Sequence, residues 1–412
     1  NFGQFGVYEL SIQNGGCDVK LLVILGVLVL VLFGLSSLKS LWHACRKKYI
    51  KRQADDATKQ PSKRRVKAID TVRGVSTLLM IFVNDGSGGY KTLGHATWNG
   101  LLLGDLLFPC FIWIMGVCIP IALTSQMKRV TSRRVILYGI VKRSILLFLI
   151  GVSLNTASTG PQLETIRIFG VLQRLGVTYL IVASTYLCFT SKRSKKSPMF
   201  REVQDLLLLL PQWCAMAVIV VVHCALTFCL DVPGCPTYRI LRARRSPRRW
   251  ENNNERISLA LLVDGTLTTT FQVFLGLHAG IIMTTYKDWK ERVVRWLVWA
   301  AFFGCIGCGL HFANVIPVNK HLWSLSFVLV TTSFSLAFLT ACYLLVDVWT
   351  FFGMNALLLY VGHMLCYQIF PFHWSAGNME SRALRLIEAI WGVALWTIIA
   401  YIMHKKRTYI TL

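Results

Sequence analysis

The sequence predicts an all-α protein, a polytopic bundle of transmembrane helices. Of its 412 residues, 54% are hydrophobic and only 15% are charged, whereas soluble domains are usually about 25% charged. The apolar residues are clustered in runs of about 20, the length that crosses a bilayer as a helix. Because backbone groups in lipid must be hydrogen-bonded internally, these runs are expected to be helices rather than open strands.

The apolar runs define about eleven candidate spans. The first is a nearly unbroken series of Leu, Val, Ile and Gly, and the weakest, 66–83, carries Asp70 and Arg73 in its first turns. The spans are expected near 20–42, 66–83, 101–124, 135–155, 168–190, 207–230, 259–285, 293–312, 321–346, 352–371 and 387–404.

Basic residues predict the orientation of the bundle. They are concentrated in alternate loops, at 46–67, 128–134, 192–196, 287–292 and 405–407. Since short cytoplasmic loops retain Lys and Arg, we expect a luminal N-terminus and a cytosolic C-terminus. The net charge of +25 is therefore mainly a topology signal. No basic soluble domain accompanies it, so the expected partner is a lipid bilayer and not nucleic acid.

The same patterns divide the chain into segments. Residues 1–19 are interpreted as the remnant of a luminal N-terminal region, 20–42 as the first transmembrane helix, 43–65 as a basic cytosolic linker and 66–412 as the main transmembrane domain. One loop, 237–263, is anomalous because it carries seven arginines on the side where positive charge is disfavoured. We expect its residues 238–256 to have no functional structure.

Polar residues are unusually dense between Asp70 and Asp105. An ionisable group within a span is costly, so it usually faces the bundle interior and has a role. Asp70 and Arg73 are one helical turn apart and can form an ion pair. Asn84 ends that span, and His95 follows a glycine-rich turn. This region is the expected location of the chemistry.

The motifs in this region and after it occur in a collinear series. They include D-T-x-R-G at 70–74, F-V-N at 82–84, G-H-A-T-W-N-G at 94–100, GVLQRLGVTYL at 170–180, IPVNKHLWSLS at 316–326 and GMNALLLYVGH at 353–363. The series resembles the heparan-α-glucosaminide N-acetyltransferase family from about residue 66 to residue 412. The resemblance implies an acyltransferase of the lysosomal membrane that uses cytosolic acetyl-CoA as co-substrate and the terminal glucosamine of heparan sulfate as acceptor. It also implies that His95 is catalytic and that Asn84 lies beside it.

The residue types agree with that chemistry. A histidine, with a pKa of about 6.5, can accept the proton of an attacking amine at mildly acidic pH. The side-chain amide of Asn84 could donate a hydrogen bond to the developing oxyanion. Two routes stay open, because His95 can act as a base for direct attack or carry the acetyl group as a covalent intermediate.

A larger set of residues is assigned to substrate or acetyl-CoA binding as a hypothesis. Most have an alternative structural role. Asp70 and Arg73 could form only an ion pair, and Gln173 and Arg174 could serve packing. Lys320 and Trp323 could anchor the chain at the membrane interface, and His363 could be an interior histidine whose hydrogen bonds are satisfied. No metal is expected, because the C-x-x-C of Cys305 and Cys308 has no second pair of ligands. The set comprises Asp70, Arg73, Trp98, Asn99, Asp105, Gln173, Arg174, Asn319, Lys320, Trp323, Asn355 and His363.

Two other functions remain as alternatives. Polar residues within spans also line substrate pathways, which is typical of a transporter or permease. A family acyltransferase with a different amino-sugar acceptor is the second alternative. The sequence also leaves open a homodimer.

Overall fold

The computed structural model describes residues 67–97, 99–129, 132–159, 170–190, 204–229, 255–345, 353–367, 369–375 and 381–409. Apart from Leu345, these residues belong to the larger of two compact units, Val66–Leu344 with Trp349–Leu412. The segments predicted at 1–19, 20–42 and 43–65, and residues 237–254 of the anomalous loop, lie outside the described residues.

The described part of the chain is helical. Two 3₁₀ turns, Ser87–Gly89 and Lys91–Leu93, connect the first two helices, and one isolated antiparallel bridge joins Asn99 and Asn319. The helices are α1 Lys67–Asn84, α2 Leu103–Arg129, α3 Arg133–Thr159, α4 Val171–Phe189, α5 Gln204–Leu208, α6 Leu210–Cys229, α7 Glu255–Thr285, α8 Trp289–Phe312, α9 Leu325–Leu345, α10 Ala356–Leu365 and α11 Arg382–Lys405.

Eight of these helices are long and apolar enough to cross a membrane, namely α2, α3, α4, α6, α7, α8, α9 and α11. Each coincides with one of the predicted spans, which confirms the all-α fold class. α7 begins at Glu255, earlier than the predicted start at 259. The count of eleven spans and the orientation of the termini remain predictions.

Two predicted spans differ from the observed helices. The helix predicted at 66–83 is α1. It contains the charged residues Lys67, Asp70 and Arg73, so it is not among the eight helices that are apolar enough to cross a membrane. The predicted span at 352–371 contains a helix of only ten residues, Ala356–Leu365. Ten residues of α-helix are about 15 Å long, half the thickness of a bilayer core, so α10 alone is too short to cross it.

The polar residues of α1 form the ion pair that their spacing predicted. Arg73 Nη1 lies 3.4 Å from Asp70 Oδ1. The same guanidinium donates to the carbonyl oxygen of Gly353, and its Nη2 lies 3.0 Å from Cys118 Sγ. Arg73 therefore connects α1 to α2 and to the chain just before α10.

The tightest helix contact joins α2 and α7, and it depends on glycine. A Cβ at Gly276 would lie 2.1 Å from the carbonyl oxygen of Trp113, and one at Gly116 would lie 2.1 Å from that of Val273. Small residues allow backbones in a membrane to approach this closely. The fully buried Trp113 and the neighbouring core residues fill the space around this contact.

A buried polar cluster lies near the C-terminal end of α7, beside α5. Asp205, which is 2% exposed, accepts hydrogen bonds from His278 Nε2 at 3.1 Å and from the Tyr286 hydroxyl at 3.0 Å. Arg295 Nη1 lies 3.8 Å from the same carboxylate. Burial acts to raise the pKa of Asp205, but these hydrogen bonds and charges outweigh it, so the pKa lies below its usual value.

Candidate active site

The predicted catalytic residue His95 is paired with a buried carboxylate. His95 lies in the loop between α1 and α2, and its Nδ1 is 3.0 Å from Asp105 Oδ1, in the first turn of α2. The side chain of Asp105 is fully buried, whereas that of His95 is 46% exposed. The carboxylate faces Nδ1, so the opposite ring nitrogen, Nε2, is the one left for a substrate.

Asp105 is held in place by backbone as well as side chains. Its second oxygen, Oδ2, accepts hydrogen bonds from the amides of Ala96 and Leu102 at 3.0 and 3.1 Å. The loop that carries His95 is therefore folded around this carboxylate. Sequence analysis placed both residues among the site candidates, and the structure brings them into direct contact.

Lys320 completes a triad with these two residues. Its Nζ lies 3.0 Å from Asp105 Oδ1 and 2.8 Å from His95 Nδ1. One ring nitrogen cannot both donate to the carboxylate and accept from the ammonium group. We assign the Nδ1 proton to the bond with Asp105, because that bond satisfies a buried negative charge, and Lys320 then donates to the same carboxylate oxygen.

Burial lowers the pKa of the Lys320 ammonium group, and the Asp105 carboxylate opposes this effect. The lysine lies in the loop between α8 and α9, so a cation from a distant part of the chain is held beside His95.

The loops that carry His95 and Lys320 are joined directly. Asn319 Nδ2 donates to Asn99 Oδ1 at 3.0 Å, and the amide of Gly100 donates to the carbonyl oxygen of Val318 at 2.9 Å. The Asn319 side chain also accepts from the amide of Leu322 at 3.0 Å. The two predicted asparagines therefore fix the register between the loops.

The loop of His95 also packs closely against the end of α1. A Cβ at Gly104 would lie 2.9 Å from Val83 Cγ1 and 3.0 Å from His95 Nδ1. Val83 immediately precedes Asn84, which is exposed at the end of α1. The structure thus brings the chain at Asn84 near His95. Among the described residues, no hydrogen bond joins the two side chains.

A cavity of about 440 Å³ lies beside this triad. Lys320 lines it together with Gln173, Arg174 and Trp323, all predicted binding residues, and with His321. The guanidinium carbon of Arg174 lies 5.3 Å from the centre of the Trp323 ring, a cation–π arrangement. The volume falls in the range of small-molecule sites, and the cationic lining suits an anionic ligand.

Gln173 contributes an unpaired donor to this cavity. The side chain is fully buried, and its Oε1 accepts from the amide of Gly170 at 3.0 Å. Its Nε2 has no hydrogen-bond partner within the part of the chain that the structure describes. Since an unsatisfied buried donor is costly, this amide is well suited to bind an acceptor atom of a ligand.

A second cavity, of about 220 Å³, lies between the same helices and is lined by Arg73, Arg143 and Asn355. On α3, the second cavity is lined by residues within 143–147 and the first by residues within 151–155. On α4, the second cavity is lined by residues within 175–179 and the first by residues within 171–174. At a rise of about 1.5 Å per residue, the two cavities follow one another along the helix axes. The second lies farther from His95.

Some predicted residues lie elsewhere. The side chain of Trp98 lies outside the described residues. His363 does not approach His95 but lies 3.6 Å from Asp85, in a buried group that also contains His373. Sequence reasoning did not select Asp85 or His373. Their positions, directly after F-V-N and within F-P-F-H-W, were the only available signal.

Comparison with known proteins agrees with the motif series. Residues 65–197 match the family described as Heparan-alpha-glucosaminide N-acetyltransferase, catalytic. Proteins named heparan-alpha-glucosaminide N-acetyltransferase are 35% identical over 402 residues in Mus musculus and 36% identical over 394 residues in Homo sapiens. The chain belongs to this family.

The matches cover 85% and 84% of the chain but only 61% and 59% of the two relatives. The chain thus spans about three fifths of the length of the curated relatives it matches. Of the site residues, Asp105 falls within the family match at residues 65–197, whereas Lys320 lies outside it.

Proposed function

We propose that this chain is a multi-pass acyltransferase of the lysosomal membrane that moves acetyl from cytosolic acetyl-CoA to the amine of a terminal glucosamine of heparan sulfate. The observation that carries the proposal is the His95–Asp105 pair, with Nδ1 held by a buried carboxylate at 3.0 Å. This arrangement orients the imidazole and leaves Nε2 as a base, the role that a carboxylate has in other His-dependent acyl transferases.

The reaction can be written with the residues of the site. In direct transfer, the amine nitrogen bonds to the thioester carbonyl carbon, Nε2 of His95 takes the amine proton, the C–S bond breaks, and the proton passes to the CoA thiolate. In the covalent route, Nε2 attacks the thioester carbonyl carbon and the C–S bond breaks, which releases the CoA thiolate. The amine nitrogen then bonds to the acetyl carbon, the bond to Nε2 breaks, and the imidazole takes the amine proton. Asp105 stabilises the positive charge that develops on the ring in both routes.

The two cavities support a substrate on each side of the membrane. The larger one adjoins Lys320 and Arg174 at the His95 end of the bundle, where a sulfated sugar would find complementary charge. The smaller one, lined by Arg73 and Arg143, lies farther toward the end that carries the basic loops. Arginine suits the phosphates of CoA, so we assign the donor to this second cavity and the acceptor to the first.

The test is acetyl transfer in membranes that contain the full chain. Radiolabelled acetyl-CoA is supplied with glucosamine, a terminal glucosaminide of heparan sulfate, galactosamine or mannosamine, and acetylated sugar is measured. We expect glucosamine-type acceptors to be labelled and His95→Ala to abolish labelling. His404→Ala, near the far end of α11, is the matched control and should retain activity.

Three results would contradict the proposal. An unchanged rate in the His95→Ala membranes would remove the proposed base. Uptake of sugar without acetylation would support a transporter instead. Labelling of another amino sugar alone would retain the enzyme class but reject the acceptor.

A further inference from the structure

Three potential metal ligands converge on the side of α11. They are Asp85, in the turn after α1, His363, near the end of α10, and His373, in the loop between α10 and α11. One ligand atom from each lies within 4.8 Å of the other two. Three separate segments of chain therefore present one carboxylate and two imidazoles to a single point.

The distances match those of a metal coordination shell. His373 Nε2 and His363 Nε2 lie 3.1 and 3.6 Å from Asp85 Oδ1. Ligands bound to Zn²⁺ at about 2.0–2.1 Å in a tetrahedron are separated by about 3.3 Å. A small divalent cation could thus contact all three atoms after shifts of a few tenths of an ångström to about 1 Å.

The ligand atoms are buried and lack other partners. The side chains of Asp85 and His363 are each 1% exposed, and that of His373 is 13% exposed. Among the described residues, Asp85 Oδ1 and His363 Nε2 have no hydrogen-bond partner. Two unsatisfied polar atoms aimed at one another in a buried site need an explanation.

The charges around the site suit a cation. The carboxylates of Asp85 and Glu388 flank His373, each 3.1 Å from one of its ring nitrogens, so a divalent cation would meet complementary charge. Aromatic rings of Tyr367 and Trp396 lie 5.0 Å from His373 and 6.5 Å from His363, which keeps the dielectric constant low.

Glu388 provides the outer partner that metal-bound histidines usually have. Its Oε1 lies 3.1 Å from Nδ1 of His373, the ring nitrogen opposite the proposed ligand atom. A carboxylate at this position fixes the tautomer that leaves Nε2 free to coordinate, as in carboxylate–histidine–zinc arrangements.

We propose that Asp85, His363 and His373 form a binding site for a divalent transition-metal ion of the zinc class, with Glu388 as a positioning residue. Two imidazoles and one carboxylate are a ligand set that Zn²⁺ accepts, and the fourth position stays open to water. The ion joins the turn after α1 to α10 and to the loop before α11. Its expected role is structural, because it fixes the residue next to Asn84. The site does not depend on the proposed acetyl transfer.

A different arrangement could occupy the same residues without metal. A protonated His373 lying between Asp85 and Glu388 would form a buried ion triad. That arrangement leaves His363 Nε2 unpaired and predicts that divalent ions do not affect stability. The sequence-based expectation of no metal rested on the absence of a compact ligand motif, and these ligands are dispersed between residues 85 and 373.

The test is metal analysis of the full chain, purified in detergent with a tag that contains no histidine. We expect about one zinc ion per chain and a fall in thermal stability on chelation that zinc reverses. His363→Gln and His373→Gln should lose zinc, and Glu388→Gln should weaken its affinity by about 10–100-fold. His404→Gln is the matched control and should bind like the wild type.

Failure of a variant to fold would not leave the site untested, because the wild-type protein can be examined directly. X-ray absorption at the zinc edge of the wild-type protein should show two imidazole ligands. Zinc at background level, a spectrum without imidazole scattering, or unchanged binding by His363→Gln would overturn the site. Thermal stability that is insensitive to chelator would support the ion triad instead.

Discussion

Asp105 lies directly behind His95, with 3.0 Å between its Oδ1 and Nδ1 of the ring, and it is fully buried while the histidine reaches the surface. A carboxylate in this position fixes which ring nitrogen carries the proton.

The carboxylate of Asp105 should be essential for turnover even when the fold is intact. Asp105→Asn keeps the shape but presents an amide that favours the wrong histidine tautomer. We expect kcat to fall by about 10²–10⁴-fold, comparable with such changes in His-dependent hydrolases, while binding of acetyl-CoA persists. Steady-state rates and acetyl-CoA binding measured on the same preparation check this. A kcat within about threefold of the wild type would mean that Asp105 only supports the loop.

Removal of the Lys320 charge should lower kcat/KM without abolishing activity. Lys320→Met loses a charged hydrogen bond to Asp105, worth about 1.5–3 kcal/mol, so we expect kcat/KM to fall by about 10–100-fold. Lys320→Arg should recover part of the loss. Kinetics at varied acceptor concentration separate positioning from binding. Equal rates for Met and Arg variants would contradict a role for the charge.

Asn84 is predicted to donate to the oxyanion. Asn84→Ala should lower kcat by about 10²–10³-fold, the range for loss of one such donor, with little effect on KM. Asn84→Asp should be no better, because a carboxylate cannot donate. An active Asp variant would argue against this role.

The cluster around Asp205 predicts how stability depends on pH. Its pKa is lowered in the folded protein, so its contribution is present above the ordinary value of about 4 and is lost as the pH falls through the lowered value. Asp205→Asn should therefore unfold at a lower temperature than the wild type at pH 7, and the difference should shrink below about pH 4. Thermal unfolding in detergent across this range is the measurement, and a gap that widens toward acid would contradict it.

The orientation of the bundle is also testable. We expect a cysteine at Thr97, in the exposed loop of His95, to react with an impermeant reagent added to the lumen, and a cysteine at Asp288 to react from the cytosol. Both substitutions are made in a background without the thirteen natural cysteines. Labelling of position 97 from the cytosol would reverse the predicted topology.

The helices of this protein could be predicted from sequence because each apolar run is about as long as the hydrocarbon core of a bilayer is thick. α1 and α10 were harder to interpret. α1 contains Asp70 and Arg73, which pair with each other within the helix, and Arg73 also donates to the carbonyl oxygen of Gly353 in a distant segment. α10 ends at Leu365 although apolar residues continue. Hydropathy describes transfer into lipid and does not include such contacts.

The candidate site could be predicted in part. Motifs identified His95, Asp105, Asn319 and Lys320 as candidates, but not that the cation and the carboxylate meet at one ring nitrogen. Contacts between residues more than 200 positions apart depend on how the loops fold at one end of the bundle. For the same reason, Asp85 and His373 were not identified.

The glycine contact between α2 and α7 has a consequence for inherited variation. An alanine at Gly276 would force its methyl group to within 2.1 Å of the Trp113 carbonyl oxygen, so the two helices would have to separate. α2 carries Asp105 at its end, and a displacement of about 1 Å at a reacting group can cost about 10²-fold in rate. Inactivating alleles are therefore expected at positions far from any reacting atom, where the addition of one methyl group is the only chemical change.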